Sequence, residues 1–272
     1  MAPRKPTRRT TGPRLRAALT EPAQYLQENQ PEGVPPLALT GERTLPDVPD
    51  ENYWYRRHLA VYEWIARRCS GHRVVDMACG EGYGTAVLAR RAPWVTGVDA
   101  NPEAYEHARL KYSQPGVRFV RDVVDGYSEQ CDAVVFLQTI EHVQDPAAVL
   151  RHLRGMLRPG GTVYVSTPNV LTLAPEGAER SDNPWHVREY RQAEFRELCV
   201  SCFEDVEILG LFHARKLRVH ELALRWGWDE LHARVGITKP FYDWFTPAIS
   251  DRDFAIREAP LDRALDFIAV LR

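Results

Sequence analysis

Long apolar runs are missing from this chain. No window approaches the ~18 consecutive apolar residues of a membrane-crossing helix. The N-terminus has no apolar stretch of the kind a secretory signal carries. Cysteine is scarce, with five in 272 residues. An odd count without scaffold density excludes a disulfide framework and points to a reducing, cytoplasmic setting. Charge of one sign is also absent in bulk. The formal net charge is −2, which argues against nucleic acid as the partner of the folded part. Only the start breaks the balance: Arg4, Lys5, Arg8, Arg9, Arg14 and Arg16 stand there with no acid among the first 20 residues.

What is there suits a globular protein. Hydrophobic residues make up 44% of the chain and charged residues 26%, enough to bury one large core. Residues 1–36 are the exception. They are rich in Pro, Arg, Thr and Gln and poor in large apolar groups, so they read as a disordered basic tail. Residues 37–272 read as one domain, and no internal repeat divides it.

From Tyr53 onward the pattern is helical, with Leu59, Tyr62, Ile65, Ala66 and Cys69 on one face. Strands and helices then alternate. Apolar strand-like segments end at Ala78, Ala100, Asp122, Gln138 and Pro168. Between them, Asn101-Pro102 and Asp145-Pro146 open helices as cap and first turn, and Arg158-Pro-Gly-Gly161 stops the second of these. Strict alternation implies an α/β fold, a doubly wound parallel sheet covered on both faces. A sixth strand follows at 205–210 and a last one at 265–271. Residues 213–264, with Trp226, Trp228, Trp244 and Phe245, read as an inserted helical cap.

Open α/β sheets bind ligands at the carboxyl ends of their strands. The turn after strand one is Asp76-Met-Ala-Cys-Gly-Glu-Gly-Tyr-Gly-Thr85. Its glycines stand at 80, 82 and 84, and Thr85 occupies the third glycine position of a dinucleotide fingerprint. Asp76 would disfavour a pyrophosphate and suit a cation. Asp99, closing strand two, can accept hydrogen bonds from ribose hydroxyls. Asp122, closing strand three, can accept one from an adenine amino group. A nucleoside joined to a cationic amino acid satisfies all of these, and S-adenosyl-L-methionine is such a ligand.

In that order, Val74–Thr85, Gly97–Pro102, Arg121–Asp125 and Leu157–Gly161 resemble class I S-adenosylmethionine-dependent methyltransferases. The resemblance implies a Rossmann-like seven-stranded sheet with an antiparallel last strand. It also implies an N-terminal lid segment over the cofactor and cofactor contacts from Asp76, Gly80, Gly82, Asp99, Asp122 and Gln138. A narrower resemblance rests on Leu37–Pro46, Glu51–Tyr62, Ile140–Val143, Val165–Asn169, Asn183–Tyr190 and Gly210–Arg218. These segments look like actinobacterial methyltransferases linked to 6-O-methylation of glucose units in methylglucose lipopolysaccharides. They imply a small-molecule or oligosaccharide acceptor.

An alkyl hydroxyl needs a base or a metal before it attacks a methyl group. Glu141 and His142 follow strand four, and His186 lies in the loop after strand five. Those loops should meet above the cofactor, which makes the three residues the catalytic candidates. With Gln138 they also resemble the Glu-x-x-Glu-His plus distant His set that holds magnesium in small-RNA 3′-end 2′-O-methyltransferases. Related segments occur in quinone-biosynthesis O-methyltransferases. Gln138 replaces the first carboxylate, and magnesium prefers carboxylates to imidazole, so no metal is expected here. Methylation of a small aromatic or quinone metabolite, methylation of RNA, and a cofactor-binding regulator are the competing readings. Cys199-x-x-Cys202 sits on an apolar helix stripe without a second pair and reads as core. Tyr53, Trp54, Tyr55, Arg56 and Arg57 read either as an acceptor wall or as packing for the first helix.

Overall fold

The structure, a computed structural model, describes residues 27–39, 43–175, 178–228 and 238–272. Most of the basic tail therefore lies outside the described residues. So do Gly41 and Glu42.

Helix α1 (Asn52–Ala66) leads into a sheet whose first five strands are parallel: β1 (Arg73–Met77), β2 (Trp94–Asp99), β3 (Val117–Arg121), β4 (Cys131–Leu137) and β5 (Leu157–Pro168). Helices α2 (Tyr83–Leu88), α3 (Pro102–Tyr112) and α4 (Pro146–Gly155) connect them. After β5 come α5 (Val170–Leu173), α6 (Gln192–Val200), β6 (Val206–His213), α7 (Arg215–Arg225), α8 (Thr238–Phe245), β7 (Phe254–Arg257) and β8 (Asp266–Leu271). The spatial order is β3-β2-β1-β4-β5-β8-β6-β7. The last strand lies antiparallel between β5 and β6.

Period-two alternation sorts the strand side chains between two cores. Val74, Ala133, Val135, Ile268 and Val270 face the core that α1 and α2 cover. Val75, Met77, Val134, Phe136 and Phe267 face the core that α4 and α6 cover. Both faces are apolar because both carry helices, as a parallel sheet requires. The helix starts follow the sequence. Asn101 accepts from the backbone N–H groups of Glu103 and Ala104, and Asp145 accepts from that of Ala148.

Two expectations need correction. The sheet has eight strands, not seven. The extra strand, β7, pairs antiparallel with β6 from Gly210↔Arg257 to His213↔Phe254 and lies inside the span read as a helical cap. Four residues are too few to show a period, and β7 exists because it covers the open edge of β6. Strand β5 also begins earlier than expected, at Leu157. Its register jumps from Cys131↔Leu157 to Ala133↔Thr162. The intervening Arg158–Gly161 segment bulges, with Gly160 at φ 80°, and does not end the strand.

The cysteines Cys69, Cys79, Cys131, Cys199 and Cys202 are free and buried. Among the described residues no helix is long and apolar enough to cross a membrane.

Candidate active site

Carboxyl ends of β1, β2, β4 and β5 meet along one edge of the sheet, and the sequence places its chemistry there. The chain leaves β1 through Ala78, Gly80 and Gly82 at φ 57°, 56° and 98°. The glycines serve different ends. A Cβ on Gly82 would stand 2.7 Å from Ala108 Cβ, and one on Gly84 would stand 2.1 Å from the Tyr62 ring. These two let α3 and α1 close onto the turn. A Cβ on Gly80 would meet nothing within 4 Å. The open space a ligand needs is therefore at Gly80, whose positive φ also favours glycine.

Asp99 joins this turn directly. Its Oδ2 accepts the Gly80 N–H at 2.7 Å and its Oδ1 accepts that of Asn101 at 2.9 Å. Each oxygen keeps a lone pair for a ribose hydroxyl. Asp122 accepts from the Val123 N–H at 2.8 Å. Gln138 stands at φ 50°, a left-handed conformation uncommon outside glycine. Its Nε2 donates to Ser166 Oγ at 2.9 Å.

Asp76 stands one residue before the end of β1. It is fully buried, and its two oxygens accept from Tyr62 OH (3.1 Å) and Thr85 Oγ1 (2.7 Å). Burial pushes its carboxyl up to about 7, against the lowering effect of those two hydroxyls. It braces the turn from beneath.

Glu81, between the first two glycines, went unassigned in the sequence. Its buried carboxylate accepts from His107 Nε2 (2.9 Å), Lys111 Nζ (2.8 Å) and Tyr112 OH (2.8 Å). It also accepts from Gln27 Nε2 at 3.2 Å, and the far side of His107 donates to the Pro35 carbonyl. Burial alone would raise Glu81, but the His107 and Lys111 contacts outweigh it and hold the carboxyl below the usual range. Gln27, within the span read as tail, is buried beside this turn, and Val34 is buried as well. The available signal was the i, i+4 pair of His107 and Lys111 on one face of α3.

Glu141, His142 and His186 do converge. Each offers a ligand or proton-accepting atom, and these atoms lie within 4.8 Å of one another. The two imidazole rings meet edge to face at 5.1 Å. The Glu141 carbonyl accepts the N–H groups of Val187 and Arg188, which draws the later loop onto the earlier one. His142 Nδ1 donates to the Trp185 carbonyl at 2.8 Å. A carbonyl can only accept, so Nε2 is left to take a proton or a cation. His186 Nδ1 faces Glu189 Oε1 at 2.6 Å, and its Nε2 faces Asn183 Nδ2 at 3.0 Å. Glu141 is 1% exposed and accepts from Thr167 Oγ1 at 3.1 Å. Burial pushes its carboxyl up to about 8, so it is mostly uncharged at neutral pH unless a cation joins it. Two imidazoles and a carboxylate suit zinc, manganese or iron better than magnesium. The sequence missed Glu189, three residues beyond His186, which orients that ring.

Tyr53 is buried, and Arg57 pairs with Asp266 rather than facing the cluster. The aromatic-arginine run thus packs α1 onto the sheet at these two positions.

A parallel sheet with an antiparallel last strand, a glycine turn with open space at its first glycine, and an acidic residue closing β2 define a Rossmann-like enzyme fold for a nucleoside cofactor. Residues 52–222 match the methyltransferase domain family, and the chain belongs to that family. It is 37% identical over 245 residues to a Mycolicibacterium smegmatis protein named a probable S-adenosylmethionine-dependent methyltransferase, covering 86% of this chain and 94% of that one. A Mycobacterium tuberculosis protein of the same name is 36% identical over 248 residues, covering 86% and 89%. A ubiquinone biosynthesis O-methyltransferase of Xanthomonas axonopodis is 37% identical over 129 residues, 43% of this chain and 54% of that one. Among solved structures, a methyltransferase of Thermotoga maritima shares the fold with TM-score 0.54 at 16% identity, covering 81% of this chain and 93% of that one. The protein is a methyltransferase that uses S-adenosyl-L-methionine.

Asp99 tests the cofactor geometry. The Asp99→Ala variant is expected to bind S-adenosylhomocysteine about 1.5–3 kcal/mol more weakly, the worth of a charge-assisted hydrogen-bond pair. Calorimetric titration reads this, and unchanged affinity would remove Asp99 from the site.

Proposed function

We propose that the enzyme methylates oxygen, and that its acceptor is a sugar hydroxyl on a glycan or glycolipid, such as the 6-hydroxyl of a glucose unit. The observation that carries this reading is the convergence of Glu141, His142 and His186 at the ends of β4 and β5. An alkyl hydroxyl is the class of acceptor that needs such a group. S-adenosyl-L-methionine, when bound, supplies a methyl on a sulfonium. Asp99, Asp122, Gln138 and the backbone of Gly80 and Gly82 would hold it, and Asp76 supports the turn. With that methyl offered to the acceptor hydroxyl, His142 Nε2 would accept the hydroxyl proton. His186, steadied by Glu189 and Asn183, and the loop contacts of Glu141 fix the His142 ring that takes hold of the hydroxyl. Holding it in line removes much of the barrier.

The segment before α1, fastened to Glu81 and joined through Thr44 to His58 and Tyr83, serves in this reading as a lid over the cofactor. The region from α7 to β7 shapes the acceptor side, and the enzyme works in the cytoplasm. A second reading has its own support. The same three residues have the spacing of a metal site, and a divalent ion there would lower the pKa of the hydroxyl directly.

The test is transfer of labelled methyl from S-adenosyl-L-methionine to gluco-oligosaccharides and, in parallel, to catechol and quinol acceptors, with the product located by mass spectrometry. O-methylated sugar is the expected product. Methylation of quinols alone would overturn the sugar assignment, and methylation of nitrogen or carbon alone would overturn the oxygen assignment.

A further inference from the structure

Helix α7 presents an unusual outer face. Arg215, Arg218, Val219, Leu222, Arg225 and Trp226 fall on one stripe of the helix, set by its i, i+3 and i, i+4 spacings, and are all exposed. Val219 is 66% exposed and Trp226 is 89% exposed. The inner face is already occupied. Leu217 is buried there, and His220 packs on Phe245 of α8 with ring centres 4.8 Å apart. In α8, Trp244 is also exposed, at 71%. No acid lies on the outer stripe. Glu221 sits beside it and pairs with Arg225 and His213. Among the described residues, Arg215 and Arg218 form no ion pair.

We propose that this face docks on an anionic lipid bilayer surface. Its charge and shape select that occupant. Guanidinium groups complement anionic headgroups, while Val219, Leu222 and Trp226 reach the level between headgroups and acyl chains, where indoles are favoured. A second copy of the chain would bring the same arginines against one another, a repulsive isologous contact. Nucleic acid would match the arginines but leave the aliphatic side chains unused. The position of the face gives docking a use: α7 begins two residues after β6 ends, and β6 runs in the direction of β1–β5, so its end lies on the site's edge of the sheet. A docked enzyme would hold that edge near the membrane surface. This inference does not depend on the identity of the methyl acceptor.

Sedimentation of the full-length protein with vesicles decides it. Binding is expected to phosphatidylcholine vesicles that contain phosphatidylglycerol, and not to phosphatidylcholine alone. Arg218→Gln combined with Arg215→Gln should weaken binding about 30-fold, from the usual contribution of a basic residue near an anionic surface. Leu222→Ser with Trp226→Ser should weaken it as well and abolish the blue shift of tryptophan emission on binding. These side chains are exposed, and unchanged S-adenosylhomocysteine affinity would confirm that the variants are folded. The basic first 20 residues could hold vesicles by charge alone. If the arginine variant binds as tightly as the parent, the tail accounts for the binding and the proposal fails. It also fails if no vesicle binds, or if the face instead drives dimerisation that Trp226→Ser removes.

Discussion

Replacing His142 by glutamine is expected to lower turnover by about 10²–10⁴-fold, the usual worth of a positioned base, while S-adenosylhomocysteine binds as before. The reason is local. The Trp185 carbonyl takes the Nδ1 proton of His142, and glutamine cannot accept a proton at the place where Nε2 stood. His186→Gln should cost less under this mechanism, because Asn183 and Glu189 already occupy both of its ring nitrogens. The metal mechanism gives another pattern. There Glu141→Gln and His186→Gln should be as damaging as His142→Gln, EDTA should abolish turnover, and added manganese or zinc should restore it. Steady-state rates with a defined acceptor, with and without EDTA, separate the two. Full activity of the His142→Gln, His186→Gln double variant would remove the cluster from the chemistry altogether.

Arg57→Leu should be the most destabilising single change among those considered, costing about 3–5 kcal/mol. Its Nε and Nη2 grip Asp266 at 2.8 and 2.5 Å, and Nη2 also reaches the Leu265 carbonyl at 2.7 Å. The two side chains are 5% and 0% exposed. Without Arg57 a buried carboxylate at the start of β8 loses its only ion-pair partner among the described residues. Urea denaturation should show the loss, and the thermal midpoint should fall by roughly 10 °C for a chain of this size. The Arg57→Leu, Asp266→Leu double variant should recover most of it, since two apolar side chains leave no charge stranded. If Arg57→Leu unfolds at the parent's urea midpoint, the pair contributes nothing and β8 is held by its ladders alone. The same pair reaches the site, because Asp266 is among the groups that raise Glu141.

Some of this was legible in the residues because it is local. The caps at Asn101 and Asp145 lie next to the groups they satisfy. The alternation of Val74 with Val75, or Val134 with Val135, fixes which face each side chain meets whatever packs there. The glycine turn and Asp99 could be read as a ligand site because they are short-range features on consecutive strands. Their order also carried the family resemblance, which the match over residues 52–222 bears out.

Other assignments needed the third dimension. From the sequence, Asp76 was a carboxylate close to a ligand. Only the packing of α1 and α2 shows Tyr62 and Thr85 taking both of its oxygens. Gly82 and Gly84 stood in the motif with Gly80, yet only the approach of Ala108 and Tyr62 separates packing glycines from the one beside open space. Arg57 and Asp266 are 209 residues apart, and no local pattern pairs them. Strand β7 is four residues long and exists because β6 offers an edge. The sequence by itself determined the alternating fold, the glycine turn and the candidate histidines, since these depend on neighbours along the chain. Tertiary structure alone decided which of those groups stand together and which are shut away, because burial and pairing depend on residues that meet only when the sheet has closed.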